Sequence, residues 1–393
     1  MIELLARLVS MESPSDHPDG CRAVQEKLGV EFAALGARLE RHTSANGQPV
    51  MIARWGRQER PVLVLGHVDT VFPLGEIARR PFTVYSGGTA QGPGAFDMKA
   101  GLVQLVEALR QLTATMPAPE LTVLLNADEE LGSPGSEPFL VAEARRSGCA
   151  IVLEPAGPGG AMKTARKGIG MYDIEVTGVA AHPGLDFDNG VNAITELGAQ
   201  LAELASYSGM DDGTTVNIGT VRGGTGRNVV AAHAVAEVET RFWTTPAGER
   251  VDAAVRARTP RHPGAQVAVT GGVHRGPMAR SASATKLVEI ARAAAAADGW
   301  QVGEMAVGGV SDGNVVAALG LPTMDGLGAE GAGAHGPAEY VVVDSMPRRA
   351  RWLAAILARL ADPNDPGARP GPDAEPPEVS RPDHHTPHNP GWR

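Results

Sequence analysis

The feature that most constrains this chain is a repeated grammar of apolar runs that stop on polar side chains. VLVLGHVDT, LTVLLNADEE and AIVLEP are each too short for a buried helix and rich in Val, Leu and Ile. Between them lie helix-like stretches, GLVQLVEALRQL and VAEARRSG. Strand, helix, strand, helix, strand is the pattern of a mostly parallel sheet covered by helices, an α/β arrangement. In such sheets ligands gather just beyond the C-terminal ends of the strands. That is where GHVD, NADEE and EP fall.

With 393 residues the chain exceeds the size at which one core keeps growing, so two domains are expected. Aromatics make up only 4%, which leaves the core to Ala, Val, Leu and Ile. The formal charge is -10 and the Lys and Arg residues are scattered, so nucleic acid is not an expected partner. Cys21 and Cys149 stand far apart, outside any paired-thiol spacing, which argues against a disulfide framework and a thiolate metal site. Any metal must then be held by His and carboxylates. MIELLARLVSMES reads as an amphipathic helix and not a leader, and no apolar run is long enough for a membrane span. A cytoplasmic protein without membrane contact is the expectation.

From 166 to 275 the grammar changes to alternating strands, GMYDIEVTGV, TTVNIGTV and HAVAEVETRFW, with helical patterns near 189–207 and 247–258. The order β-α-β-β-α-β predicts a small ferredoxin-like α+β sandwich with one open sheet face. It interrupts a catalytic domain made of 1–165 and 276–361. The segment 362–393 is dense in Pro, poor in apolar residues and expected to be a disordered tail, its three histidines incidental.

The chemistry sits at the strand ends. His67 and Asp69 follow an apolar strand, and a ligating imidazole usually gives its other N–H to a carboxylate, a role Asp69 can fill. A surface turn would carry the same pair. Asp97 lies in the Gly-rich GPGAFDMKAG, where it is either a ligand able to bridge two cations or a helix N-cap. Asp128, Glu129 and Glu130 would repel one another unless a cation lay nearby, the alternative being a solvated acidic loop. Glu130 is then a ligand and Glu129 a general base. Glu154 in LEP and His335 in GAGAHGPAEY complete a nitrogen and oxygen donor set without sulfur, suited to two zinc ions.

The ordered series HxD, GxGxxDMKxG, DEE, LEP and AHGPxEY resembles the co-catalytic zinc peptidases that include acetylornithine deacetylase, succinyl-diaminopimelate desuccinylase and glutamate carboxypeptidase, the last branch being the most similar. The resemblance covers about residues 1–360 and implies a discontinuous α/β catalytic domain with a lid that usually dimerises. It also implies His67, Asp97 and Glu154 around one Zn2+, and Asp97, Glu130 and His335 around the other, with Co2+ or Mn2+ as substitutes. Asp69 would support His67, and Glu129 would deprotonate the water between the metals. A cis peptide is implied after Asp97, here leading to Met98 where the family often has a second Asp.

GVAAHPG matches the segment whose histidine, here His182, reaches a partner subunit's active site to stabilise an oxyanion. Asn228, Arg241, Arg275 and Gly309 lie at positions similar to substrate contacts of the glutamate carboxypeptidase branch, Arg275 as the clamp on a terminal carboxylate. The function implied is a zinc-dependent carboxypeptidase that releases a C-terminal residue, glutamate foremost, from a peptide or N-acyl amino acid. The alternatives are a deacylase of N-acyl amino acids or diamino acids, and a non-catalytic binding protein on a peptidase fold. The last predicts a missing ligand or base, and neither is missing.

Overall fold

The computed structural model describes residues 1–365 and 369–370. Its central six-stranded sheet runs in the order Arg38–Thr43, Pro49–Trp55, Leu121–Asn126, Val62–His67, Cys149–Val152, Thr323–Met324. The last four are mutually parallel, and the first two add an antiparallel edge. That edge, RLERHT and PVMIARW, was not part of the predicted strand series.

Alternate residues of each parallel strand face opposite layers, which explains runs that are apolar throughout. Val62, Val64, Val123 and Ile151 join the larger core, with helices Ile2–Ser10, Pro18–Ala34, Ala100–Thr115, Ala282–Ala297 and Met346–Leu360. Leu63, Leu65, Leu124 and Val152 pack on the other side against Leu140 and Ala144 of Glu137–Arg146 and Val315 and Val316 of Asp312–Ala317. Cutting back one such Leu to Ala costs about 2–5 kcal/mol, so the sheet is a stiff platform for its own loops. Register aligns the strand ends: His67 pairs with Asn126, and Leu65 with both Leu124 and Val152. The polar residues after each strand therefore emerge side by side.

The inserted unit has the predicted order. Strands Gly168–Thr177, Thr215–Gly223, His233–Phe242 and Gln266–Arg275 form an antiparallel sheet, with helices Ala193–Ala205 and Thr245–Arg256. Tyr172, Ile174 and Val176 are buried under the helices, while Met171, Asp173 and Glu175 are exposed, the alternation of a sheet covered on one face. Asn192 caps the first helix by accepting from the Ile194 and Thr195 amides.

The chain enters and leaves this unit through a narrow neck. Arg166 and Met278 exchange backbone hydrogen bonds there, at 2.9 and 3.1 Å. The helix Ala282–Ala297 then returns to the core of the first domain.

Both cysteines are buried and unpaired. Among the described residues no helix is long and apolar enough to cross a membrane. Most of the expected tail, 366–368 and 371–393, lies outside the described residues. Arg369 is buried and donates to the Arg60 carbonyl at 3.0 Å.

Candidate metal centre

Loops at neighbouring strand ends bring two three-residue groups together: His67, Asp97 and Glu154, and Asp97, Glu130 and His335. Asp97 is common to both. His67 Nε2 lies 3.3 Å from Asp97 Oδ1 and 3.5 Å from Glu154 Oε1. His335 Nε2 lies 3.3 Å from Asp97 Oδ2 and 3.1 Å from Glu130 Oε2.

These separations test the fit to a cation. Direct charge-assisted bonds would close to about 2.7–2.9 Å. Donors placed tetrahedrally around an ion at about 2.0–2.1 Å stand roughly 3.3 Å apart. The observed spacings are of the second kind. Asp97 Oδ1 is moreover buried without a hydrogen-bond partner, an orphan that a cation would satisfy. The residues present therefore fit a pair of divalent ions.

Electrostatics agree. Burial works against protonation of His67, yet Asp69, Asp97 and Glu154 together push its pKa well above the usual value. Asp97 and Glu130 raise His335 to about 10. Burial would raise Asp97, but His335 and His67 hold it below the ordinary carboxylate range. Both imidazoles thus take up protons when nothing else neutralises the carboxylates, and a cation would displace them.

Several residues near these groups behave differently from expectation. The strand before the acidic triplet stops at Asn126, and Glu129–Leu131 forms a 3-10 turn. That turn aims Glu130 and Glu129 differently. Asp128 faces inward, accepting from the Gly135 amide at 2.8 Å and the Ser136 hydroxyl at 2.5 Å. His67 Nδ1 meets the Asp69 carbonyl at 3.0 Å, closer than its carboxylate at 3.4 Å. The carboxylate is already taken: it accepts from Ser15 Oγ at 2.8 Å and from the Glu129 and Glu130 amides at 3.3 and 3.1 Å. Asp69 thereby ties the His67 loop to the Glu129 turn. The peptide between Asp97 and Met98 is cis.

Glu129 belongs to neither ligand group. Burial raises its pKa well above normal, with Glu154 and Asp312 adding to the effect and His67 and Arg275 opposing it. Arg275, at the end of the last strand of the inserted unit, is buried with Nη1 3.6 Å from Glu129 Oε1 and Nη2 3.4 Å from Asp312 Oδ1. Its Nε and Nη1 have no hydrogen-bond partner among the described residues. Asp312 is anchored by Ser133 at 2.5 Å and Asn126 at 2.7 Å.

The remaining candidates lie outside this cluster. His182 and Asn228 are exposed on the inserted unit, His182 Nδ1 accepting from the Gly184 amide at 3.2 Å. Arg241 donates to Glu239 at 2.8 Å and to the Gly308 carbonyl at 3.2 Å. Gly309 is exposed, and its carbonyl accepts from Arg166 at 3.2 Å. Arg166 was missed from sequence: it is buried, pairs with Asp325 at 2.6 Å and lies 3.5 Å from Glu154 Oε2. No local spacing distinguishes it from other arginines.

Comparison with known proteins places this geometry. Residues 63–359 match the model of Peptidase family M20/M25/M40. Carboxypeptidase G2 of Pseudomonas sp. (strain RS-16) is 30% identical over 375 residues, 92% of this chain and 89% of that protein. Succinyl-diaminopimelate desuccinylase of Delftia acidovorans is 29% identical over 371 residues, covering 87% and 93%. Among solved structures, aminopeptidase PepT of Bacillus cereus shares the fold with a TM-score of 0.73 at 23% identity, over 92% of this chain and 98% of that one. The chain belongs to Peptidase family M20/M25/M40 and is a hydrolase of amide or peptide bonds.

Proposed function

We propose that this enzyme is a zinc-dependent carboxypeptidase that releases a C-terminal residue, glutamate foremost, from small peptides or N-acyl amino acids. The observation that carries the reading is Arg275, a buried guanidinium with Nε and Nη1 unpaired beside Glu129. A buried guanidinium with unused N–H groups suits a carboxylate, and its placement next to the base would set the scissile carbonyl within reach of it. Carboxypeptidase G2 as a relative supports the same substrate class.

In this reading His67, Asp97, Glu130, Glu154 and His335 hold the ions, with cobalt or manganese as substitutes for zinc. Such ions supply Lewis acidity and can bring the pKa of water down to about 7. Glu129 takes the proton from the attacking water and returns it to the leaving amine. Its raised pKa suits the second half of that task. Asp69 keeps the Glu129 turn and the His67 loop in register. Residues 166–275 act as lid and dimerisation domain of a cytoplasmic homodimer, in which His182 of a second copy steadies the oxyanion. Asn228, Arg241 and Gly309 line the substrate's path.

The test is a panel of an N-acyl glutamate, its C-terminal amide, a dipeptide and N-acetylornithine. Losing a charge-assisted bond at about 1.5–3 kcal/mol should lower kcat/KM for the amide by about 10-fold or more. Equal turnover of acid and amide would remove the carboxypeptidase reading. The desuccinylase relative favours a second reading, deacylation of an N-acyl amino or diamino acid, which predicts fastest turnover of N-acetylornithine or its succinyl counterpart.

A further inference from the structure

Glu339 is fully buried although it is an acid next to a cluster of acids. Its carboxylate has a definite occupation. Oε2 accepts from the Gly94 amide at 3.0 Å, and Oε1 from the Phe96 and Asp97 amides at 2.8 and 3.0 Å. Those three donors belong to the Gly-rich loop that ends in Asp97, the residue common to both ligand groups.

Glu339 also closes the turn that presents His335. Its own amide donates to the Gly336 carbonyl at 3.2 Å, and His335 occupies a left-handed conformation at φ +64°. A non-glycine residue there needs support from its surroundings. From Glu339 the chain runs straight into Tyr340–Val342, which pairs with Thr89–Gln91, the strand leading into the Asp97 loop. One carboxylate therefore joins the loop of the shared ligand to the loop of the most exposed one.

We infer that Glu339 is a positioning residue that sets Asp97 against His335, and with it the affinity of the Asp97, Glu130 and His335 group for its cation. The inference rests on the reading that the two groups hold divalent ions. The other group is less dependent on Glu339, because His67 is set by a strand of the stiff sheet and Glu154 lies two residues past another. Outer partners of metal ligands typically change affinity by about 10–100-fold when altered.

Two substitutions separate reach from charge. Glu339→Asp keeps the charge but is too short to meet all three amides; Glu339→Gln keeps the length, loses the charge and turns an N–H against one amide. Chelator-treated protein would be titrated with Co2+, following the visible absorption of each site, with hydrogen exchange of the 94–97 segment as a second measurement. Positioning predicts that Glu339→Asp weakens one of the two binding steps by about 10–100-fold, weakens the other clearly less, and speeds exchange at 94–97. Glu339→Gln should then be the milder variant. A Glu339→Asp protein that binds both ions like the wild type overturns the inference, as does equal weakening of both steps or a variant that no longer folds. Failure of the wild type to bind two ions would instead remove the reading of the site.

Discussion

Replacing Glu129 with Gln should make an enzyme that is inactive yet at least as stable. The side chain is in neither ligand group, its nearest charged partner is Arg275 at 3.6 Å, and Gln has the same shape. What disappears is the proton acceptor. General base catalysis contributes about 10²–10⁴ in rate, or roughly 3–5 kcal/mol of barrier. Metal content should stay at the wild-type value. Stability moves the other way. Burial, Glu154 and Asp312 raise the pKa of Glu129 in the fold, so the native state binds a proton there more readily than the unfolded chain. Stability of the metal-free protein then falls as pH rises above about 4.5, the unfolded value, and Gln removes that loss. Denaturant titration of chelator-treated protein at pH 5 and pH 8, beside steady-state kinetics and elemental analysis of the loaded enzyme, reads all three quantities. Turnover within tenfold of wild type, or a variant less stable at pH 8, would refute the reasoning.

Arg275→Lys replaces a fork by a point charge and should raise KM for a free-acid substrate by about 10–100-fold while barely altering turnover of the C-terminal amide, checked by initial rates on the pair. Glu143→Ala should cost about 1.5–3 kcal/mol in denaturant unfolding, because buried Arg54 would lose its bonds of 2.6 and 2.8 Å to Glu143 and keep only those to the partly exposed Glu40. Cation uptake must displace the proton that Asp97 and Glu130 hold on His335 up to about pH 10, so apparent metal affinity should climb with pH until about 10, with proton release visible by calorimetry in buffers of different ionisation heat. The same proton stabilises the metal-free fold below about pH 6.5 and its contribution fades as pH rises through about 10.

The parallel sheet was readable because both of its faces are covered, which leaves uninterrupted apolar runs such as VLVLGH ending where the loops begin. The inserted unit was readable for the opposite reason: an open face makes Gly168–Thr177 alternate residue by residue. The edge strands Arg38–Thr43 and Pro49–Trp55 were missed because five of the six residues of the first are polar or charged and the second opens on a proline and carries the charged Arg54. At the candidate centre, residue type and strand-end position sufficed to pick out side chains that could share a cation. They could not reveal which groups the remaining acids touch. Asp128 and Glu339 carry the same charge as Glu130, but their partners are backbone amides brought in from other loops, a matter of tertiary geometry. Likewise Arg241 reaches the Gly308 carbonyl, a contact between distant segments that its own neighbours in sequence do not foretell.

The neck at Arg166 and Met278 has a mechanical consequence. Arg166, which touches Glu154, stands on the incoming strand, and Arg275, which touches Glu129, stands three residues before the outgoing one. Any pivot of the inserted unit about that crossing would therefore act on two guanidiniums, one beside Glu154 and one beside Glu129. Substrate occupancy and the angle of that unit would then be a single thermodynamic variable, because the carboxylate of an incoming molecule would bias the angle by binding one orientation more tightly than another.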